Sequence, residues 1–288
     1  MDKNLIQRLI SGFIYGIIIV MGTTPLGESF FSIIGLSVPQ HLIFLVLLSL
    51  ILLLGVWECL QILKLKQGWQ RLLTLPLALG VFYYFASLYL AGGFDHQFNL
   101  THILALFLFF SACITLFYFK SELENDLGKM LFTVLYVGLP LGFSLGLITL
   151  DSAEKFSWEV FWLFVLIWSS DSFAYFSGRL FGKHLMAPKI SPKKTWEGLI
   201  GGVVLTLLFS FFIESNLPQL QGNWIVVGFL VAISAPLGDL IESQLKRNFN
   251  VKDSGKIIPG HGGILDRLDS FLFCAPVLYL YFIIHNFI

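Results

Sequence analysis

What most constrains this chain is the length of its apolar runs: nine stretches of about 20 residues pass with scarcely a charge. A helix needs roughly that many apolar residues to cross the hydrocarbon core of a bilayer. The runs fall near 5–21, 42–58, 72–91, 102–119, 131–150, 158–176, 198–213, 224–241 and 271–288. Backbone N–H and C=O groups cannot stay unpaired in lipid, so such runs must be helices. The short alternating segments of a membrane barrel do not occur in the sequence. The expected fold class is therefore all-α: a polytopic transmembrane helical bundle of about nine spans, one integral membrane domain over 1–288. Composition agrees, since 56% of residues are hydrophobic, 30 are Phe and only 12% are charged. Soluble domains carry about 25% charge. A disordered chain, a nucleic-acid-binding protein and an ordinary cytosolic enzyme are thereby excluded. The net charge of zero gives no bulk attraction to a polyanion.

Lysine and arginine report orientation, because cytoplasmic loops are enriched in them. With nine spans, 17 of the 18 basic residues fall on the N-terminal side and only Lys155 falls opposite. The N-terminus and the basic loops are expected in the cytoplasm. Lys3 and Arg8 precede the first run as they would in a signal peptide, but no A-x-A-like site follows. That run reads as a retained span. Cys59, Cys113 and Cys274 form no CxxC pair and read as small buried hydrophobes. Gly138, Gly142 and Gly146, and Gly198 with Gly202, recur every four residues. Small residues so spaced let helix backbones approach, within the chain or across a homodimer.

The two halves differ: 1–150 is hydrophobic spans with short loops, whereas 151–288 carries the charges suited to chemistry. The sixth run breaks into Ser169-Ser170-Asp171-Ser172 near its cytoplasmic end. Asp239 and Glu242 close the eighth run three residues apart, and Asp266 and Asp269 repeat that spacing just before the ninth. Carboxylates three apart share a helix face. Ionisable groups at membrane level are costly, and a lone one at a helix end can simply reach into water. Three acidic clusters at one level argue for a site. Hard oxygen donors of this kind suit Mg²⁺, which takes one or two carboxylates, waters and substrate phosphates.

Basic residues interleave with these acids. Ser191-Pro192-Lys193-Lys194-Thr195 leads into the seventh run, and Lys246, Arg247, Lys252 and Lys256 precede Gly260-His261-Gly262-Gly263. Glycines admit backbone N–H groups close to an anion, and lysine holds phosphate as a point charge. Loop charges that merely touch anionic lipid headgroups would need neither the glycines nor the acids. Together they indicate a polyphosphate–metal site. Residues 178–183 read GRLFGK, one residue short of a P-loop and without the following Ser or Thr. His41, His96, His102 and His285 show no ligand spacing and read as bystanders.

Ser243-Gln244-Leu245-Lys246-Arg247, then Lys252-Asp253-Ser254-Gly255, then Pro259-Gly260-His261-Gly262-Gly263-Ile264-Leu265-Asp266-Arg267-Leu268-Asp269 resembles the signature of the phosphatidate cytidylyltransferases. The likeness runs through 27 residues, and the segments 170–175 and 191–198 also look like family segments. It covers about 165–288; the first five runs share only hydrophobicity. The resemblance implies transfer of the cytidylyl group of CTP to phosphatidic acid, with Mg²⁺ as cofactor and K⁺ as a second cation. By position, Asp239, Asp266 and Asp269 look like metal carboxylates, and Asp171 lies in a family motif as a further candidate. Lys246, Arg247 and His261 join the three aspartates as catalytic candidates. Ser191, Lys193, Lys194, Lys252, Arg267, Gly262 and Gly263 are the substrate-binding candidates. The expected location is a bacterial cytoplasmic membrane. A CTP-dependent polyprenol kinase, which would release CDP, is the neighbouring alternative. An ion-coupled transporter would need acids at mid-span and inverted repeats.

Overall fold

The computed structural model describes residues 3–65, 68–91, 99–147 and 158–287. Among the described residues eight helices are long and apolar enough to cross a membrane, and the chain is an integral multi-pass membrane protein. They are α3 (Gln40–Ile62), α4 (Gly68–Ala91), α5 (Leu100–Tyr118), the pair α6 (Asp126–Thr133) and α7 (Leu139–Leu145), α8 (Trp158–Phe181), α9 (Trp196–Asn216), α10 (Trp224–Asn248) and α11 (Leu265–Phe287). A π-helical turn, Val134–Gly138, joins α6 to α7 within one span. Asn99, Asn125, Thr195 and Asn223 cap α5, α6, α9 and α10, each accepting a first-turn N–H.

The first expected span is not straight. α1 (Lys3–Thr23) and α2 (Leu26–Ile33) meet at 93°, so together they count as a ninth candidate only if the bent pair is one span. Pro25 sits at the corner. Gln40 holds it: its side-chain amide donates to the Met21 and Gly22 carbonyls at 3.1 and 2.8 Å. Glu28 and Gln40 also exchange backbone-to-side-chain bonds, both at 3.1 Å.

Other ends move. The fifth span begins at Asp126 and its helix closes at Leu145, earlier than the expected 131–150. α11 begins at Leu265, so Asp266 and Asp269 lie in its first turns and not before it. Lys246 and Arg247 belong to the last turn of α10 and not to a loop. The far end of the expected fifth run, Lys155 and His96 lie outside the described residues. Between α8 and α9 stands a two-stranded antiparallel hairpin, β1 (Leu185–Ala187) with β2 (Ser191–Thr195).

The buried core is drawn from α3 to α8, α10 and α11, while Phe13, Leu72, Phe107 and Leu208 point outward as lipid-facing residues would. Glycine makes the tightest seam. A Cβ at Gly202 would lie 2.9 Å from the Ala174 methyl, and one at Gly198 would lie 2.9 Å from the Ala174 carbonyl oxygen, so α8 and α9 touch along their backbones. Gly142 packs on the Phe85 ring and Gly138 on Ala78. These glycines are used within the chain and lend a homodimer no support. The three cysteines are buried as expected. His102 is no bystander: its ring bonds the Tyr279 hydroxyl at 2.6 Å and the Tyr84 hydroxyl at 3.3 Å, tying α5 to α11 and α4.

We expect Gly202→Leu to overpack the seam by about 1–3 kcal/mol or more. Gly80→Leu, where a Cβ meets nothing within 4 Å, should be neutral. Thermal unfolding of the two purified variants in detergent checks the contrast.

Candidate functional site

Several parts of the chain converge on one cavity of about 620 Å³. Asp171 enters from α8, Ser191, Lys193 and Lys194 from β2, and Asp239 and Lys246 from α10. The segment after α10 brings Asp253 and His261, and α11 adds Asp266, Arg267 and Asp269. With α8 and α9 in backbone contact, the hairpin between them stays close to both helices and sets Met186, Ser191, Lys193 and Lys194 on the cavity wall. Thr195 caps α9 and also packs against Gly178 and Gly182 of the preceding turn.

Two ion-pair networks line the cavity. Lys194 donates to Asp239 Oδ2 at 2.8 Å and to the Pro236 carbonyl at 2.9 Å, pinning the hairpin to α10. Lys246 bridges Glu242 Oε2 at 2.5 Å and Asp266 Oδ1 at 2.6 Å. Its position one turn after Glu242 is the favourable order for such a pair on a helix. The second oxygen of Asp266 accepts Ser254 N at 2.8 Å, Ser254 Oγ at 2.9 Å and Gly263 N at 2.8 Å. Asp266 is thus occupied by its own chain, whereas Asp171, Asp239 and Asp269 face the cavity with fewer partners. Among the described residues Asp269 accepts only the neighbouring Ser270 N–H, at 2.7 Å, and it feels the charges of both Asp239 and Asp171. Among the described residues no three His, Cys, Asp or Glu side chains form a closed metal ligand set.

Several expected residues stand outside the cavity. Arg247 points to the Ile190 and Val251 carbonyls at 3.4 and 3.3 Å, joining the hairpin to the segment after α10. Lys252 is exposed and does not line the cavity. Gly262 and Gly263 serve the loop: Gly262 has φ +85°, and a Cβ on either would meet a carboxylate, Asp266 for the first and Glu58 for the second. His261 lines the cavity while its Nδ1 lies 2.7 Å from Ser11 Oγ of α1.

Sequence reasoning missed three contributors. Arg179 and Tyr175 on α8 line the cavity, though the sequence shows them only as span-end residues. Glu58, on α3, is 1% exposed and lies under the segment 254–265, accepting N–H bonds from Ile264 and Leu265 at 3.0 Å each. An acid as the last residue of the expected span 42–58 was the available signal.

A model of the Cytidylyltransferase family matches residues 7–285. Phosphatidate cytidylyltransferase of Bacillus subtilis (strain 168) is 41% identical over 157 residues, 54% of this chain and 58% of that protein. Its namesake from Haemophilus influenzae is 50% identical over 131 residues, covering 43% and 45%. That from Rickettsia bellii is 42% identical over 149 residues, covering 49% and 64%. The chain thus spans about half the length of the curated relatives it matches.

Breaking one member of a buried ion pair costs about 3–5 kcal/mol, because the partner is left uncompensated. Lys246→Met should lose about that much, and Lys246→Met with Glu242→Leu should recover part of it. Thermal unfolding of the single and double variants in detergent reads the difference.

Proposed function

Because the chain belongs to the Cytidylyltransferase family, we propose that it transfers the cytidylyl group of CTP to phosphatidic acid. The products are CDP-diacylglycerol and pyrophosphate. The observation that carries this reading is the pairing, within one cavity, of the cations Lys193, Lys194, Arg179 and Arg267 with the carboxylates Asp171, Asp239 and Asp269.

The chemistry asks little of a general base. Phosphatidic acid presents an anionic oxygen, which attacks the α-phosphorus of CTP in line; the new O–P bond forms as the bond to the β-phosphate oxygen breaks. No proton need leave the nucleophile. The barrier is the approach of two polyanions and the charge on departing pyrophosphate, which positioned cations relieve. Lys193, Lys194, Arg267 and Arg179 surround the cavity and hold phosphate oxygens in this reading. Lys246, held between Glu242 and Asp266, fixes the α10–α11 junction and through it the direction of Asp269.

The donor set fits Mg²⁺. Three carboxylates, Asp171, Asp239 and Asp269, face one space, and this ion needs only one or two of them when phosphates and waters complete its shell. Like charges so placed repel unless a cation lies among them. Bound there, Mg²⁺ supplies charge neutralisation to the phosphates. K⁺ as a second cation rests on the family resemblance alone. The same reading puts the cavity and the N-terminus on the cytoplasmic side of a bacterial inner membrane, supported by the loop-charge asymmetry and by bacterial relatives.

Purified protein in mixed micelles with phosphatidic acid, Mg²⁺ and α-labelled CTP should move label into the organic phase and release an equal amount of pyrophosphate. CDP without labelled lipid would replace this reading with a lipid kinase. Asp239→Asn and Asp269→Asn should each lower turnover by on the order of 10²-fold or more at matched protein level. Arg247→Ala, outside the cavity, should cost less than about 5-fold, as expected for a residue that shapes a loop.

A further inference from the structure

We infer that Glu58, which lies outside the cavity, is a positioning residue for this reaction: it seats the segment 254–265 and thereby sets where Asp266 and Asp269 stand. The inference rests on the cytidylyltransferase reading of the cavity. Its basis is a set of contacts between α3 and a segment some 200 residues away. Glu58 Oε1 accepts Ile264 N at 3.0 Å, and Oε2 accepts Leu265 N at 3.0 Å and lies 3.0 Å from Ser254 Oγ. Ile264 precedes α11 and Leu265 opens it, so Glu58 supplies acceptors to N–H groups that the start of a helix leaves unpaired, at the end where a negative charge is favoured.

The link to the cavity is Ser254. Its hydroxyl lies 3.0 Å from Glu58 and 2.9 Å from Asp266 Oδ2, and its backbone N–H also donates to that Asp266 oxygen, at 2.8 Å. A hydroxyl has one proton, so the two carboxylates hold the serine between them. The segment is moulded around the acid: a Cβ at Gly255 or Gly263 would fall within 3 Å of the Glu58 carboxylate. Glu58 itself is 1% exposed and does not line the cavity, so it acts through these bonds and not on substrate. Both backbone groups it meets here, the N–H of Ile264 and of Leu265, are donors. Glutamine, of the same size, would turn an NH₂ toward one of those donors, and the seat would shift without leaving a void.

Displacements of about 1 Å can cost on the order of 10²-fold in rate while leaving binding nearly intact. The test measures kcat and KM for CTP and for phosphatidic acid in wild type, Glu58→Gln and Ser254→Ala, together with thermal unfolding. We expect Glu58→Gln to lower kcat by about 10- to 100-fold with each KM within about 3-fold, and Ser254→Ala to lower kcat by about 10-fold. Wild type that makes no cytidylyl lipid would sink the functional reading itself, whatever the variants do. Active wild type with an unchanged kcat in Glu58→Gln, or a loss carried by KM, overturns the inference. Should Glu58→Gln fail to fold, Ser254→Ala decides by the same split, since it keeps both backbone bonds to Glu58.

Discussion

A backbone that leaves the helical path and is buried must find a partner for each amide inside the protein, and the buried stretches of the segment from α10 to α11 meet that demand with two carboxylates. Glu58 takes the amides of Ile264 and Leu265, and Asp266 takes those of Ser254 and Gly263. The glycines of the segment follow from this, since side chains at Gly255 or Gly263 would displace the acid beneath. Lys246 then follows in turn, because a carboxylate as buried as Asp266 or Glu242 calls for a nearby cation. One lysine serves both, and the second oxygen of Glu242 has no hydrogen-bond partner among the described residues. The Tyr136 hydroxyl, in the π-helical turn, is likewise buried and unpaired there, and it lies within the electrostatic reach of Glu242.

The same accounting orders the other half of the cavity. The α8–α9 seam brings two backbones into contact through Gly198, Gly202 and Ala174, leaving no room for a long connection to wander between them. The intervening residues therefore fold as a tight hairpin, and Lys194 at its base reaches α10. Rigid elements thus place charges that would otherwise sit on mobile loops.

Much of this was legible in the sequence because lipid imposes a length on every span: among the described residues each of the nine expected runs falls on helix, and eight of these helices are long and apolar enough to cross a membrane. The bend at Pro25 was not legible, since it depends on Gln40 and Glu28 exchanging bonds across a loop. The helix ends were set one or two turns inward in the reading, because Lys246, Arg247, Asp266 and Asp269 are too polar for a hydropathy run yet lie well on a helix. The hairpin went unseen: its strands are only 3 and 5 residues long and one carries Pro192. For the site, the acidic and basic clusters pointed to the right region. The neighbours of each carboxylate did not follow from spacing, so Asp239 and Asp266 read alike although both line the cavity and only Asp266 is held by backbone N–H groups of its own loop. Glu58 was hidden for a related reason, as a lone acid near a span end looks the same whether it meets water or a distant backbone.

The pairing of Lys194 with Asp239 makes the cavity its own counter-ion. In the proposed reaction a phosphate group that took Lys194 would release Asp239 for a positive partner such as a divalent cation, so the cavity could fill by exchange. The charge of the region then changes little as the site fills, which matters at a low-dielectric boundary where an uncompensated charge is costly. A free nucleotide, or the cation alone, would leave one member of the pair stranded. The site would therefore behave as an ion exchanger selective for the complex over either of its parts.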